Sequence, residues 1–483
     1  MGMALRSPYS DADRIMNDVA ARESANAPTA MANGRPDRVA TRFRRAEKYL
    51  KNRLEWGWLF RAMSYARSAL WIVPFIAIVL VLAFAPLLRW LDVWLEWRLA
   101  GLNVAGAQAL YQTVITLALS FMVFTFGSLL VAIQIASGQL TPRIIATTLL
   151  RDNVVRYSVG LFVFTLVFAV MALNRLETRV HELVALIGAI LGIACMATFL
   201  FLIDYAARLL RPVSILARVG NDGLAVVESV FPNAAEDREA DETIAAEPFR
   251  AARRIVRHSG LSEIVLAVDL ETLVNEAQRL DGVIELLPQV GDFVAHEEPL
   301  FALYGGAASI DDRKLRAAVA FGPERTMEQD PMFAFRILVD IALKALSRAI
   351  NDPTTAVLAI DQIQRLLRAV GKRQLRRDEI ADDFGCVRVV FRTPNWEDFV
   401  HVACTEIRTC GADNVQIARR MRAMFDDLLA SLALHRHAAL DQERKRLDEM
   451  LQSLHKAPED LALARIPDTQ GLGGSSRVRA TVR

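Results

Sequence analysis

Between positions 68 and 206 the chain is dominated by long apolar runs, and four of them contain no Asp, Glu, Lys or Arg: 68–88, 99–142, 157–174 and 183–203. A helix needs about 20 apolar residues to cross the hydrocarbon of a bilayer. A soluble helix seldom runs apolar on every face for so long. The pattern therefore predicts four transmembrane helices, at about 68–91, 108–137, 156–174 and 183–206. Tryptophan placement agrees with the first. Six of the seven Trp residues lie between positions 56 and 97, and Trp71 and Trp90 stand about 28 Å apart along a helix, close to the spacing of two membrane interfaces.

After Pro212, expected to end the membrane run, the period changes. An acidic stretch at 232–248 reads as an exposed loop. The runs 263–269, 282–287, 293–294 and 299–304 then alternate short apolar stretches with Gly and Pro, which predicts strands of a small barrel or sandwich. Their turn pattern, Pro288-x-Val290-Gly291-Asp292-Phe293-Val294 followed by Pro299-Leu300-Phe301, resembles that of biotinyl/lipoyl-like barrels. The attachment lysine those carriers need is absent. From Met332 onward helical spacing returns, over 332–349, 353–370, 396–409, 411–434 and 436–455, with one strand at Cys386–Phe391. The expected fold class is thus a membrane α-helical domain joined to a cytosolic α+β region, a β-barrel-like module followed by a helical one. The expected division is a basic, disordered tail (1–40), a transmembrane domain (41–211), a β-rich barrel-like module (212–322), a mostly helical module (323–457) and a second disordered tail (458–483).

Charge orients the spans. Arg42, Arg44, Arg45, Lys48, Lys51, Arg53, Arg61 and Arg67 precede the first, Arg143, Arg151 and Arg156 follow the second, and Arg208, Arg211 and Arg218 follow the fourth. The opposite connections carry only Arg98 in one and Arg175 and Arg179 in the other, with acidic neighbours. The positive-inside rule then places both termini of the expected multi-pass protein in the cytosol. A formal net charge of +2 offers no bulk attraction to nucleic acid. The four cysteines, Cys195, Cys386, Cys404 and Cys410, show neither CxxC nor zinc-finger spacing, which argues against a metal centre or a disulfide framework.

Two sets of residues are candidates for function. The second span carries unusual polar content, Ser120, Thr125, Ser128, Gln134, Ser137 and Gln139, which either packs helices together or lines a path for a solute or ion. Two Asp-Pro strings each precede a helical pattern. Arg325, Thr326, Gln329 and Asp330 come before Pro331, and Asn351 and Asp352 come before Pro353 and Thr354. Asp followed by Pro is a helix start. The same residues could converge on one polar site only if loops fold back or a second subunit supplies one string, because the helix between them spans about 27 Å.

These strings carry a resemblance. The segment ERTMEQDPMFAFRILVDIALKALSRAINDPTTAV (324–357) resembles the signature of the DUF2254 family of predicted bacterial membrane proteins. QIASGQLTPRII (134–145), followed by Arg151-Asp152, is similar to that family's other signature, and GVIELLPQVGDFVAHEEPLF matches as well. The resemblance covers roughly 60–435. It implies a multi-pass protein of the bacterial inner membrane and a short list of residues, without an activity. Ser347-Arg348-Ala349 departs from the Ser-Pro-Gly or Ser-Pro-Ala that precedes Ile-Asn-Asp-Pro in the family, and so departs from a tight Pro/Gly turn there.

Sequence signatures of nucleotide-binding, zinc-protease and serine-hydrolase sites (GxxxxGK[ST], GxGxxG, HExxH, GxSxG) do not occur. No enzyme and no cofactor are expected. The partners expected are the lipid bilayer, further copies of the chain in a homo-oligomer, and an unidentified small ligand or ion, with no nucleic acid. Two readings follow. One is an oligomeric channel or transporter gated by its cytosolic domain; the alternative is a membrane-anchored sensor or scaffold that binds a ligand or partner without transport.

Overall fold

A computed structural model of the chain describes residues 71–95, 102–139, 152–176, 180–209, 211–235, 252–375 and 378–474, with positions 56, 60, 63 and 69; at 85–95, 135–139 and 209 it describes the backbone alone. The tail expected at 1–40, and 475–483 of the second tail, lie outside these residues, as does most of the acidic loop.

Four long apolar helices come first: α1 (Ile72–Leu95), α2 (Val104–Gln139), α3 (Asn153–Asn174) and α4 (Glu182–Leu209). Among the described residues three of them are long and apolar enough to cross a membrane, over Val104–Gln134, Asn153–Asn174 and Glu182–Arg208. The described apolar part of α1 covers Ile72–Phe84. α3 is the central helix. It packs against α1, α2 and α4, and 44% of its apolar stretch is buried, against 17% in α2 and 22% in α4. Small residues allow the close approaches. A Cβ on Gly160 of α3 would fall 2.6 Å from Val73 of α1, and Gly188 and Gly192 of α4, one turn apart, receive Tyr111 and Val114 of α2.

The chain does not leave the membrane helices as a loop. It breaks at Arg211, which is extended, and restarts with Pro212 at the first position of α5 (Pro212–Val230). This helix lies in the stretch expected to be β-rich, but it packs into the helical layer.

The β region follows: β1 (Arg254–Arg257), β2 (Glu263–Val268), α6 (Leu270–Arg279), β3 (Gly282–Leu286), β4 (Phe293–Val294), β5 (Pro299–Gly305), α7 (Asp312–Ala317) and β6 (Val319–Gly322). The helical layer contains α8 (Pro331–Leu346), α9 (Pro353–Gly371), α10 (Trp396–Gly411), α11 (Val415–Ser431), α12 (His437–Leu454) and α13 (Pro458–Ala464), with β7 (Glu379–Ala381) and β8 (Val387–Phe391) between α9 and α10. Where a barrel or sandwich is expected, the described strands form two open sheets, ordered β1-β5-β3-β8-β7 and β4-β2-β6, and no closed barrel. They enclose one core from opposite sides, with Val256, Ile284, Leu303 and Val389 from the first and Val265, Val294 and Phe321 from the second. β8 joins β3 in parallel, Ile284 opposite Val389, so the sheet crosses the expected division at 322.

The helical layer has a separate core, in which α5, α8, α9, α10, α11 and α12 contribute Ile215, Phe335, Ile363, Phe399, Phe425 and Leu447. The tail expected from 458 is structured as far as residue 474. Asp468 is fully buried and accepts from the backbone N–H groups of Gln470 and Gly473. Arg419 donates to the carbonyls of Ile466 and Gly473. Buried polar groups need such partners, so the segment folds although its composition reads as a tail.

α5 is seated where a side chain would be too large. A Cβ on Gly223 would lie 2.8 Å from the Cβ of Ala334 in α8 and 3.2 Å from Leu366 in α9, whereas one on Gly220 would meet only the mobile end of Gln362. Gly223→Ala is expected to lower the melting temperature of the detergent-solubilised chain by several degrees, a cost of about 1–3 kcal/mol for overpacking. Gly220→Ala should change it little, because Gln362 can swing away and alanine favours the helix by up to about 1 kcal/mol.

Candidate functional site

Asp152 ends an extended residue and starts α3. Its Oδ1 accepts from the backbone N–H groups of Val154 (2.9 Å) and Val155 (3.3 Å), an N-cap that satisfies two otherwise orphaned donors. Its other oxygen looks sideways. The Tyr205 hydroxyl, near the C-terminal end of α4, donates to Oδ2 at 2.5 Å, and Arg218 of α5 places Nη1 and Nη2 at 3.2 and 3.1 Å from the same atom. The Asp152 side chain is 3% exposed and that of Arg218 33%. One carboxylate therefore joins the start of α3, the end of α4 and the first extramembrane helix. A buried carboxylate without partners is very costly, so this arrangement holds only while all three elements stay in place.

From Arg218 the connection continues along α5. Gly220 and Gly223, two and five residues later, lie against α9 and against α8 and α9 respectively, and Arg365 of α9 donates to Asn221 Oδ1 at 2.8 Å. α8 begins at Asp330, in the first of the two Asp-Pro strings. Asp330 caps α8 by accepting from Phe333 N at 3.1 Å and is 4% exposed. Burial raises its pKa to about 6; the nearby positive charge of Arg325 and the backbone donors of α8 oppose the rise, and Asp292 adds to it. The β region touches it here. Gly291, at φ +95°, turns its backbone so closely under Asp330 that a Cβ would lie 2.5 Å from Oδ2 and 3.6 Å from the Arg325 guanidinium carbon. Gln329 extends the junction: its amide accepts from Val268 N at 2.9 Å and donates to Val268 O at 3.4 Å, an extra rung on β2. Arg325 is exposed. Thr326 is half-buried, and its Oγ1 is buried with no hydrogen-bond partner.

The second string lies at the other end of α8. Asp352 caps α9 through Thr355 N (3.1 Å) and the Thr355 hydroxyl (2.5 Å). Asn351 is exposed with φ +50°, the left-handed region that asparagine tolerates, and Thr354 is exposed. A 16-residue helix separates the strings, about 24 Å. Within one chain the structure thus groups Arg325, Thr326, Gln329 and Asp330 with Gly291, and it does not bring Asn351, Asp352 and Thr354 to them.

The span residues also divide. Thr125 is buried within the bundle, its hydroxyl donating to Phe121 O at 2.7 Å. Ser128, which donates to Thr125 O at 3.0 Å, and Ser120 and Gln134 are exposed. The side chains of Ser137 and Gln139 lie outside the described residues. In the sequence Arg218 stands out only as one of the positive charges after the fourth span, Asp152 only as part of a signature, and Tyr205 not at all. Two signals point to Asp152 and Arg218: an Asp shortly before a charge-free span is an N-cap candidate, and Arg218 lies just beyond the fourth span on the same expected side. The Gly220-x-x-Gly223 spacing marks the close helix contact.

Asp152→Ala removes an N-cap, worth about 1 kcal/mol, and the acceptor shared by Tyr205 and Arg218. Breaking a buried ion pair costs about 3–5 kcal/mol, less here because Arg218 is one-third exposed. The expected loss is about 2–4 kcal/mol, read from thermal unfolding in detergent. Asp330 gives a pH signature. Its folded pKa lies above that of an unfolded Asp, so its contribution is fully present below pH 4 and is lost as pH rises through 6, by about 3 kcal/mol. Asp330→Asn should flatten the fall in melting temperature between pH 4.5 and 7; an unchanged slope would place the titrating group elsewhere.

The comparisons with known proteins agree on kinship. Over 366 residues, 72% of this chain and 70% of the relative, the sequence is 25% identical to the Uncharacterized protein Mb1321c of Mycobacterium bovis. A match of the same extent, also 25% identical, is to the Uncharacterized protein Rv1290c of Mycobacterium tuberculosis. No solved structure matches. The family model described as "Predicted membrane protein (DUF2254)" matches residues 67–427, three-quarters of the chain, and the chain belongs to that family.

Proposed function

We propose that the chain is a multi-pass protein of the bacterial inner membrane that assembles as a homo-oligomer into a channel or transporter, gated by its extramembrane domain on the cytosolic side. α1, with 24 residues and a length of about 36 Å, serves as a fourth span. Both termini then face the cytosol, in keeping with the arginines beside Asp152 and in α5.

One observation carries this reading. Thr113, Thr116, Ser120, Val123, Gly127, Leu130 and Gln134 recur along α2 at alternating spacings of three and four, and every one of them is exposed. Nothing lies within 4 Å of a Cβ built on Gly127. A stripe with four polar side chains and a glycine is a poor surface for lipid and a good one for close helix association or for a wet path. Several α2 stripes around a symmetry axis would enclose a path that four spans in one chain cannot. The clamp at Asp152 and the seat of α5 supply a connection from α8 and α9 back to the spans.

The alternative, a membrane-anchored sensor or scaffold, draws support from the hydroxyls. Those of Thr113, Thr116 and Ser128 donate to carbonyls of their own helix, which lets them face lipid at small cost. Bilayer recordings on the reconstituted full-length protein, under voltage and membrane tension, separate the two. The conduit reading expects discrete conductance that Ser120→Leu and Gln134→Leu alter several-fold. Silent bilayers from an oligomer with intact fold would contradict it.

A further inference from the structure

The outer face of the β4-β2-β6 sheet is apolar and only partly covered. Val265, Val294 and Phe321 point into the β core, which leaves Ile264, Leu266, Ala267 and Ala320 on the opposite side. There they receive Trp56 and Phe60, whose rings stack at 5.4 Å. Trp56 and Phe60 belong to the segment that leads into the first apolar helix. Phe60 precedes Ile72 by twelve residues, at most about 40 Å of chain. In sequence this segment interleaves Lys51, Arg53, Arg61 and Arg67 with Trp56, Trp58, Phe60 and Tyr65, a composition suited to the headgroup level.

The same face continues past the cover. Phe293 pairs directly with Ile264, so its side chain lies on the same side of the sheet, and it is 63% exposed. Leu261, in the loop that leads into β2, is 79% exposed. Its loop is held firmly. The His258 ring contacts the Leu261 carbonyl at 2.6 Å and lies 4.4 Å from the Phe321 ring. His296 binds the Gly260 carbonyl at 3.0 Å through Nδ1 and donates its N–H to Ser262 Oγ at 3.2 Å. Two large apolar side chains are thus displayed on pinned backbone, beside the segment that enters the membrane.

We propose that this sheet face rests on the bilayer surface, with Leu261 and Phe293 inserted among the lipid headgroups. Two side chains are far too little for a dimer, which needs about 800 Å² on each partner. They are enough for a domain already tethered to the membrane, where the lipid is always at high effective concentration. The contact holds whether or not the spans conduct.

The test uses the full-length protein in phospholipid nanodiscs, with the exposed Cys386 and Cys410 replaced by Ser. An environment-sensitive fluorophore is attached at Leu261→Cys, Phe293→Cys or, for comparison, Phe384→Cys on the β7–β8 turn; each variant must melt as the parent does. Headgroup-proximal doxyl lipid should quench the labels at 261 and 293 at least twofold, while aqueous iodide quenches the label at 384 more strongly than either. Quenching of the first two by iodide alone would overturn the proposal. So would shielding from both quenchers, which would mean that protein covers the face.

Discussion

The carboxylate of Asp152 has to be neutralised where it stands. It is almost fully buried at the start of the central membrane helix, and its charge is met by two backbone donors, a tyrosine hydroxyl and a guanidinium from three different elements. Each partner restricts the others. The cap fixes where α3 begins, the tyrosine fixes how far α4 extends beside it, and the arginine fixes the angle at which α5 departs after the break at Arg211. A charge that is expensive to leave unsolvated is thereby converted into a geometric constraint between the membrane helices and everything after them.

α5 carries that constraint onward because its inner face is too tight to slide. Gly223 sits against Ala334 and Leu366, so a rotation of α5 displaces α8 and α9. α8 is capped at its far end by Asp330, under the tight turn at Gly291, and Gln329 adds a rung to β2. The two cores are therefore joined through the start of α8, and the membrane helices reach the helical core through α5. The sheet region has its own second link, through Trp56 and Phe60. The proposed gating uses these connections in either direction.

Much of this fold is legible in the sequence. The apolar runs locate α1 to α4, because no other structure satisfies so many consecutive apolar residues. The Asp-Pro strings locate the starts of α8 and α9 through cap chemistry, and the helices after residue 390 follow their periodicity to within a few residues. What escaped has physical reasons. α5 is amphipathic but begins with a proline, which reads as a stop when it is a restart. β2 to β5 and β8 are legible in the sequence, β1, β6 and β7 are not, and the pairing between β3 and β8, about a hundred residues apart, is decided by packing. The segment 465–473 looks like a tail until Arg419 and Asp468 bind it. At the site, the Asp-Pro strings point to Asp330 and Asp352, which cap the starts of two successive helices, whereas the convergence of Tyr205 and Arg218 on Asp152 is visible only when three helices meet.

The most direct test of the coupling is hydrogen–deuterium exchange on the full-length protein in nanodiscs, comparing the wild type with Arg218→Gln. The account predicts that exchange rises together in the first turns of α3, the last turns of α4 and along α5, and that it spreads to α8 and α9, while the core strands β3 and β5 keep their protection. A rise confined to the neighbourhood of residue 218, with α3, α4 and α8 unchanged, would contradict it and leave α5 as a passive linker.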